Sequence, residues 1–180
     1  MPPLVLLTDD DRLTDPLAAA RALPRGSMVV VRARDNARRK ALAFAMMKLA
    51  RGRGLIVLIA SDGKLAAACG ADGVHVPEIA LGTAARERAC HAFFLITGSV
   101  HSLAAVGRAH GVDAIFLSPI FATKSHPGGA TLTAVRASFI ARASRVPVYA
   151  LGGIEPQNAA LLPPSAFAGI AAIGALDVQS

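Results

Sequence analysis

Eight short apolar runs punctuate this sequence, at Leu4–Leu7, Met28–Val31, Leu55–Ile59, Gly73–Val76, Phe93–Ile96, Ala114–Leu117, Val146–Leu151 and Ala168–Ile173. They are continuous rather than alternating, which is the pattern of strands buried on both faces. Between them lie alanine-rich segments with helical spacing, at Pro16–Leu23, Asn36–Arg51, Lys64–Cys69, Thr83–Ala92, Ser102–His110, Thr131–Ala143 and Pro156–Leu161. Several open on N-cap chemistry: Asp15 before Pro16, Ser102, and Glu155 before Pro156. Right-handed crossovers leave few arrangements for such an order, chiefly a closed (βα)8 barrel or a doubly wound open sheet. The open sheet usually carries a glycine-rich loop after its first strand, whereas here that loop is Thr8-Asp9-Asp10-Asp11. The pattern therefore predicts one compact (βα)8 TIM barrel over residues 1–180. Only Leu176–Ser180 follows the last tip, so the eighth helix is expected to be short or missing. A strand face left uncovered there is a reason to expect a homodimer.

Composition narrows the function classes. With 53% hydrophobic and 17% charged residues the chain is globular rather than disordered. It carries no apolar run long enough to cross a bilayer and no visible secretion signal after Met1-Pro2-Pro3-Leu4, so a cytoplasmic location is expected. Cys69 and Cys90 read as buried free thiols. A net charge of +7 calls for an anionic partner. The longest basic run is only Arg38-Arg39-Lys40, and aromatic residues are 4% with no tryptophan, which argues against nucleic acid. Arg38, Arg39, Lys40 and Lys48 read as a solvated helix face. A small phosphorylated molecule needs only one or two well-placed arginines.

In a parallel barrel the chemistry sits at the C-terminal strand tips. Here the seventh run ends at Gly152-Gly153 and the eighth at Gly174. Glycine permits positive φ and close approach, so the two tips offer unobstructed N–H donors where such barrels hold a phosphate. A plain tight turn explains Gly152-Gly153 equally well when the pair is taken alone. Arg32 and Arg34 alternate along one strand end and can reach one anion together. The other tips supply Asp62, His75, Glu78, Ser99, His101, Ser118, Thr123, Ser125 and His126. His75, His101 and His126 could suggest a zinc site, but no two share a strand as His-x-His, and core or capping roles explain them more cheaply.

Taken together, Leu6-Leu7-Thr8-Asp9, Gly70-Ala71-Asp72-Gly73-Val74-His75, Gly98-Ser99-Val100-His101-Ser102, Ser118-Pro119-Ile120-Phe121-Ala122-Thr123 and Ala150-Leu151-Gly152-Gly153-Ile154 resemble thiamine phosphate synthases and their thiazole-tautomerase relatives. The resemblance spans nearly the whole chain in order. It implies a (βα)8 barrel that joins a hydroxymethylpyrimidine pyrophosphate to a thiazole phosphate in thiamine biosynthesis, with magnesium, releasing pyrophosphate. It also implies that Arg32 and Arg34 hold the pyrophosphate and that Ser99 lies near the reacting carbon. Thr123 and Ser125 would touch a phosphate, the backbone of Gly152, Gly153 and Gly174 would hold the thiazole phosphate, and His75 and Ser118 would complete the substrate site. His126 stands where the family has a lysine facing pyrophosphate.

The departures bear on the metal and on the reaction. The family's Gln-Leu-Arg-Glu-Lys strand is Val30-Val31-Arg32-Ala33-Arg34 here. One magnesium aspartate falls on Ser61 or Asp62, and the second on Ala80, with Glu78 nearby. Asp62 and Glu78 are therefore the candidate metal ligands, and a degraded magnesium site is the expectation. Two alternatives stay open: a non-catalytic barrel that binds a phosphorylated ligand, and a thiazole tautomerase, although the tautomerase histidine position is Pro119.

Overall fold

The computed structural model describes residues 2–123 and 130–173. Along the chain it places β1 (Leu4–Leu7), α1 (Pro16–Ala22), β2 (Met28–Val31), α2 (Asn36–Arg53), β3 (Ile56–Ala60), α3 (Gly63–Cys69) and β4 (Gly73–Val76). A 3₁₀ turn (Glu78–Thr83), α4 (Ala84–Cys90), β5 (Leu95–Val100), α5 (Leu103–Arg108) and β6 (Ala114–Leu117) follow, then α6 (Thr133–Arg142), β7 (Val148–Leu151), α7 (Pro156–Ala159) and β8 (Gly169–Ala172). All neighbouring strands are parallel in chain order, and β8 returns to β1 with Val5 opposite Ala171. The closed barrel, not the open sheet, is the fold. The segment expected to hold an eighth helix lies outside the described residues, as do Ser125, His126 and Gly174.

Strand alternation sorts the apolar residues into two layers. Val5, Leu7, Met28, Val30, Leu58, Ala114, Phe116, Tyr149 and Ala171 fill the barrel interior. Their neighbours Leu6, Val29, Val57, Ile59, Val74, Ile96, Ile115, Leu117 and Val148 face outward and pack under the helices. Those helices meet the sheet through small residues, among them Ala19, Ala20, Ala43, Ala66, Ala105 and Ala137, all fully buried. Alanine costs little side-chain entropy in a helix and lets the helix lie close to the strands. Both strand faces are thus dry, which is why the runs read as continuous.

Two of the capping signals, Asp15 and Ser102, act as their sequence suggests, whereas at the start of α7 it is the Asn158 side chain that accepts the Glu155 N–H, at 2.9 Å. The Asp15 carboxylate accepts from the N–H of Leu17 and Ala18 at 3.0 and 2.9 Å, ahead of Pro16. Asp35 caps α2 through the Arg38 N–H at 2.7 Å, and Gly54 ends it at φ 62°. Ser102 caps α5 through the Ala105 N–H at 3.1 Å.

The structure corrects three expectations. The fifth strand is Leu95–Val100 rather than Phe93–Ile96, and Phe93 is fully exposed. Gly98 and Ser99 hide the strand from a hydropathy reading, and Gly98 leaves room for Leu81, whose Cδ2 would sit 2.6 Å from a Cβ there. Cys90 is exposed; only Cys69 is buried, and burial pushes its thiol pKa up. On α2, Lys40 and Lys48 are exposed as expected, but Arg39 turns toward the barrel mouth.

At the other end of the barrel the buried Tyr149 hydroxyl donates to the Pro2 carbonyl at 2.7 Å, and burial pushes its pKa up to about 12. Tyr149→Phe strands that carbonyl without its donor and is expected to cost about 1 kcal/mol, roughly 2–4 °C in melting temperature. A calorimetric melt checks this.

Candidate active site

A clasp at the first two strand tips positions the main cationic side chain. Thr8 is fully buried, and its Oγ1 donates to the Arg32 carbonyl and accepts the Arg32 N–H, both at 2.7 Å. Residue 32 continues the inward-facing parity of Met28 and Val30, so Arg32 emerges at the barrel mouth. There a cleft of about 600 Å³ is lined by Asp9, Asp10, Asp11, Arg12, Arg32, Ala33, Arg34, Arg39, Ala60 and Ser61.

The cleft is a lattice of opposed charges. Asp9 Oδ2 takes Arg12 at 2.6 Å and Arg32 at 3.4 Å. The Arg12 guanidinium, bonded to it, holds the Asp9 carboxyl below its ordinary pKa despite partial burial. Burial in turn lowers the Arg32 pKa, and Asp9 opposes that. Arg34 is 79% exposed and pairs with Asp11, while its backbone N–H donates to Asp10 at 2.8 Å. Asp10 also takes Arg38 at 3.0 Å from α2. Arg39 reaches back to the Ala33 carbonyl at 3.5 Å and Asn36 Oδ1 at 2.7 Å. Ser61, at the rim, holds φ 59°, a left-handed conformation that is costly for a residue with a Cβ and often found at functional sites.

Beside this cleft and inside the barrel lies a second polar group. His75 is buried, with Nδ1 2.8 Å from Thr97 Oγ1 and Nε2 2.8 Å from Ser99 Oγ. Its ring packs on Phe116 at 4.8 Å between centroids. Burial, and then the nearby Arg32 charge, pushes the His75 pKa from 6.5 down to about 3. The ring is therefore neutral and donates to one hydroxyl while accepting from the other. That fixes the orientation of Ser99.

This pKa makes a testable sign. Between pH 6.5 and about 3 an unfolded histidine binds a proton that the folded ring refuses, so stability falls as pH drops through that window. The slope is about 1.4 kcal/mol per pH unit. Chemical denaturation of His75→Asn across that range is expected to lack this slope. Parallel curves for variant and wild type would show that His75 titrates normally.

The remaining sequence-predicted residues occupy other parts of the mouth. Ser118 follows β6, with its carbonyl accepting from His101 Nδ1 at 2.8 Å. Thr123 is the last described residue of the loop after β6. Gly152 and Gly153 close β7 at φ 96° and 64°. The β6 loop lies against them: the Ile120 and Phe121 N–H groups donate to the carbonyls of Leu151 and Gly152 at 3.1 and 3.0 Å. A Cβ on Gly153 would sit 2.3 Å from the Ala122 carbonyl oxygen. The glycine pair is thus a packing requirement, and its N–H groups meet no acceptor among the described residues.

Asp62 and Glu78 are both engaged. Asp62 Oδ1 caps α3 through the Leu65 N–H at 2.9 Å, and its Oδ2 lies 3.6 Å from Arg39. Glu78 Oε2 accepts the His101 N–H at 2.7 Å, and Oε1 accepts Arg108 at 3.0 Å. Among the described residues no three of histidine, cysteine, aspartate and glutamate gather as a metal site.

The structure thus brings Arg32 and Arg34 into one cleft and joins His75 to Ser99. Sequence reasoning gave no cleft role to Asp9, Asp10, Asp11, Arg12 and Arg39, although Asp9 stands at the tip of the first strand. A visible signal existed for the first three, since a run of aspartates at one strand tip faces Arg32-Ala33-Arg34 at the next.

The family model described as thiamine monophosphate synthase matches residues 4–176. The chain belongs to this family. Thiamine-phosphate synthase of Chlorobium luteolum is 33% identical, over 97% of this chain and 85% of the relative. That of Bordetella bronchiseptica is 34% identical, over 83% of this chain and 74% of the relative. Among solved structures, thiamine phosphate pyrophosphorylase from Pyrococcus furiosus superimposes with a TM-score of 0.77 at 22% identity, covering 98% of this chain and 89% of that one. This thiamine monophosphate synthase family member therefore shares the barrel of that structure. Among its described residues no helix is long and apolar enough to cross a membrane.

Proposed function

We propose that the chain is a thiamine phosphate synthase, a transferase joining a hydroxymethylpyrimidine pyrophosphate to a thiazole phosphate. The family match over residues 4–176 carries this proposal, and the arginine-lined cleft at the barrel mouth supports it. The carbon–oxygen bond to pyrophosphate breaks with its electron pair leaving on pyrophosphate. The pyrimidine ring stabilises the resulting cation, and the thiazole nitrogen lone pair closes the new carbon–nitrogen bond. No proton is gained or lost, so the chain must supply charge neutralisation and positioning rather than a general base.

Arg32 and Arg34 take the leaving pyrophosphate, displacing the aspartates that hold them in the free protein. Ser99, oriented by His75, faces the reacting carbon, and the N–H groups of Gly152 and Gly153 receive the thiazole phosphate. A neutral buried His75 also speaks against a tautomerase, which would need an acid–base group there. The magnesium implied by the family resemblance is poorly matched by the residues at the family's two ligand positions. It needs an octahedron of oxygens. Asp62 is spent on a helix cap and on Arg39, both Glu78 oxygens have donors, and residue 80 is alanine.

Genetic complementation tests the activity. Expression in a bacterial strain lacking its own thiamine phosphate synthase is expected to restore growth without added thiamine. Folded protein that fails to restore growth would overturn the proposal.

A further inference from the structure

Four guanidinium groups line the cleft, those of Arg12, Arg32, Arg34 and Arg39, against the three carboxylates of Asp9, Asp10 and Asp11. Arg12 and Arg32 share Asp9, and Arg34 pairs with Asp11. Arg39 differs from these. Its side chain is only 18% exposed, and its nearest carboxylate, Asp62, stands 3.6 Å away, beyond hydrogen-bond reach. Its buried Nε has no acceptor among the described residues. A guanidinium desolvated to this degree is costly unless an anion meets it.

Its position is fixed rather than adventitious. The Ala33 carbonyl and Asn36 Oδ1 hold it, and Ala33 is the residue between Arg32 and Arg34. The three guanidiniums therefore converge on one cleft from one strand tip and the first turns of α2. Guanidinium forks match phosphate oxygens and act strongly where water is thin. A pyrophosphate monoester brings about three negative charges at neutral pH, judged from phosphate pKa values.

We propose that Arg39 is a further anion-binding residue of this site and that Arg32, Arg34 and Arg39 together neutralise pyrophosphate in the role a metal ion would otherwise fill. This rests on the cleft being the pyrophosphate site of the proposed reaction. It follows that pyrophosphate binds without magnesium, and that Asp62 restrains Arg39 rather than coordinating a cation.

Calorimetric titration of the protein with inorganic pyrophosphate, in EDTA and then in excess magnesium, is the test. Binding is expected in EDTA, with no tightening on adding magnesium. Arg39→Met is expected to weaken it at least tenfold, and Arg39→Lys to weaken it less, since charge remains while the fork is lost. Asp62→Asn keeps a good N-cap for α3 and is expected to bind pyrophosphate as well as or better than wild type. Binding that requires magnesium would overturn the proposal, as would an Arg39→Met variant that melts and binds like wild type. Asp62→Asn that loses binding only in magnesium would make Asp62 a metal ligand and overturn it too. Because the probe is pyrophosphate alone, these outcomes stand apart from the synthase reaction. Protein that binds it as described yet forms no thiamine phosphate contradicts the reaction and leaves the arginine assignment intact.

Discussion

Gly153→Ala is expected to unfold the protein roughly 6–12 °C below wild type, the largest stability loss of any single methyl group at the barrel mouth. Two costs add. At φ 64° an L side chain is strained by about 1–2 kcal/mol. The new Cβ would also lie 2.3 Å from the Ala122 oxygen and 2.8 Å from the Phe121 carbonyl carbon and oxygen, all backbone atoms. Those atoms cannot retreat cheaply, because the Ile120 and Phe121 N–H groups are bonded to the β7 tip. Overpacking of this kind costs about 1–3 kcal/mol, giving a total near 3 kcal/mol. Gly107→Ala provides the contrast, since a Cβ there meets nothing within 4 Å on α5. That change should raise stability by about 0.5–1 kcal/mol. If Gly153→Ala melted with wild type, the β6 loop would not rest on the β7 tip.

Arg32→Ala is expected to lower kcat/KM for the pyrimidine pyrophosphate by about 10²–10³-fold, the usual loss when a preorganised charge partner of the transition state is removed. Stability should change far less. The Arg32–Asp9 contact is 3.4 Å long, Arg32 is 40% exposed, and Asp9 keeps its shorter contact with Arg12. A pair this long with one half-exposed partner is worth about 1 kcal/mol or less. The split between activity and melting temperature is the diagnostic. Equal damage to both would make Arg32 a structural residue that fastens the β1 and β2 tips.

The barrel was legible because its physics leaves a plain trace. Strands dry on both faces give runs such as Met28–Val31, and helices that lie close to a sheet need alanine where Ala19, Ala43 and Ala105 stand. Capping by Asp15 and Ser102 was equally plain, since the chemistry lies within four residues. The fifth apolar run, Phe93–Ile96, starts too early and stops short because Gly98, packed under Leu81, and Ser99, bonded to His75, lie inside the strand and neither looks like one by hydropathy.

The site was legible only in part, for a different reason. Arg32 and Arg34 could be paired from their alternation on one strand end. Their counter-ions lie 23 residues away on another strand tip, at Asp9 and Asp11, and no local spacing announces that. Arg39 looked like part of a solvated face because neighbouring Arg38, Lys40 and Lys48 are charged. Its inward turn depends on how α2 meets the barrel mouth, which is a tertiary fact. The glycine pair at β7 reads equally as a tight turn or a phosphate cradle when taken alone, and its geometry shows that close packing by the β6 loop demands glycine whatever the N–H groups bind.

The most direct measurement is pyrophosphate release by purified protein given both substrates, with each substrate omitted in turn and thiamine phosphate followed by mass spectrometry. The account predicts release only when the pyrimidine pyrophosphate and the thiazole phosphate are both present, one pyrophosphate for each thiamine phosphate formed. No release with both present, or release from the pyrimidine pyrophosphate alone with no coupled product, would contradict it.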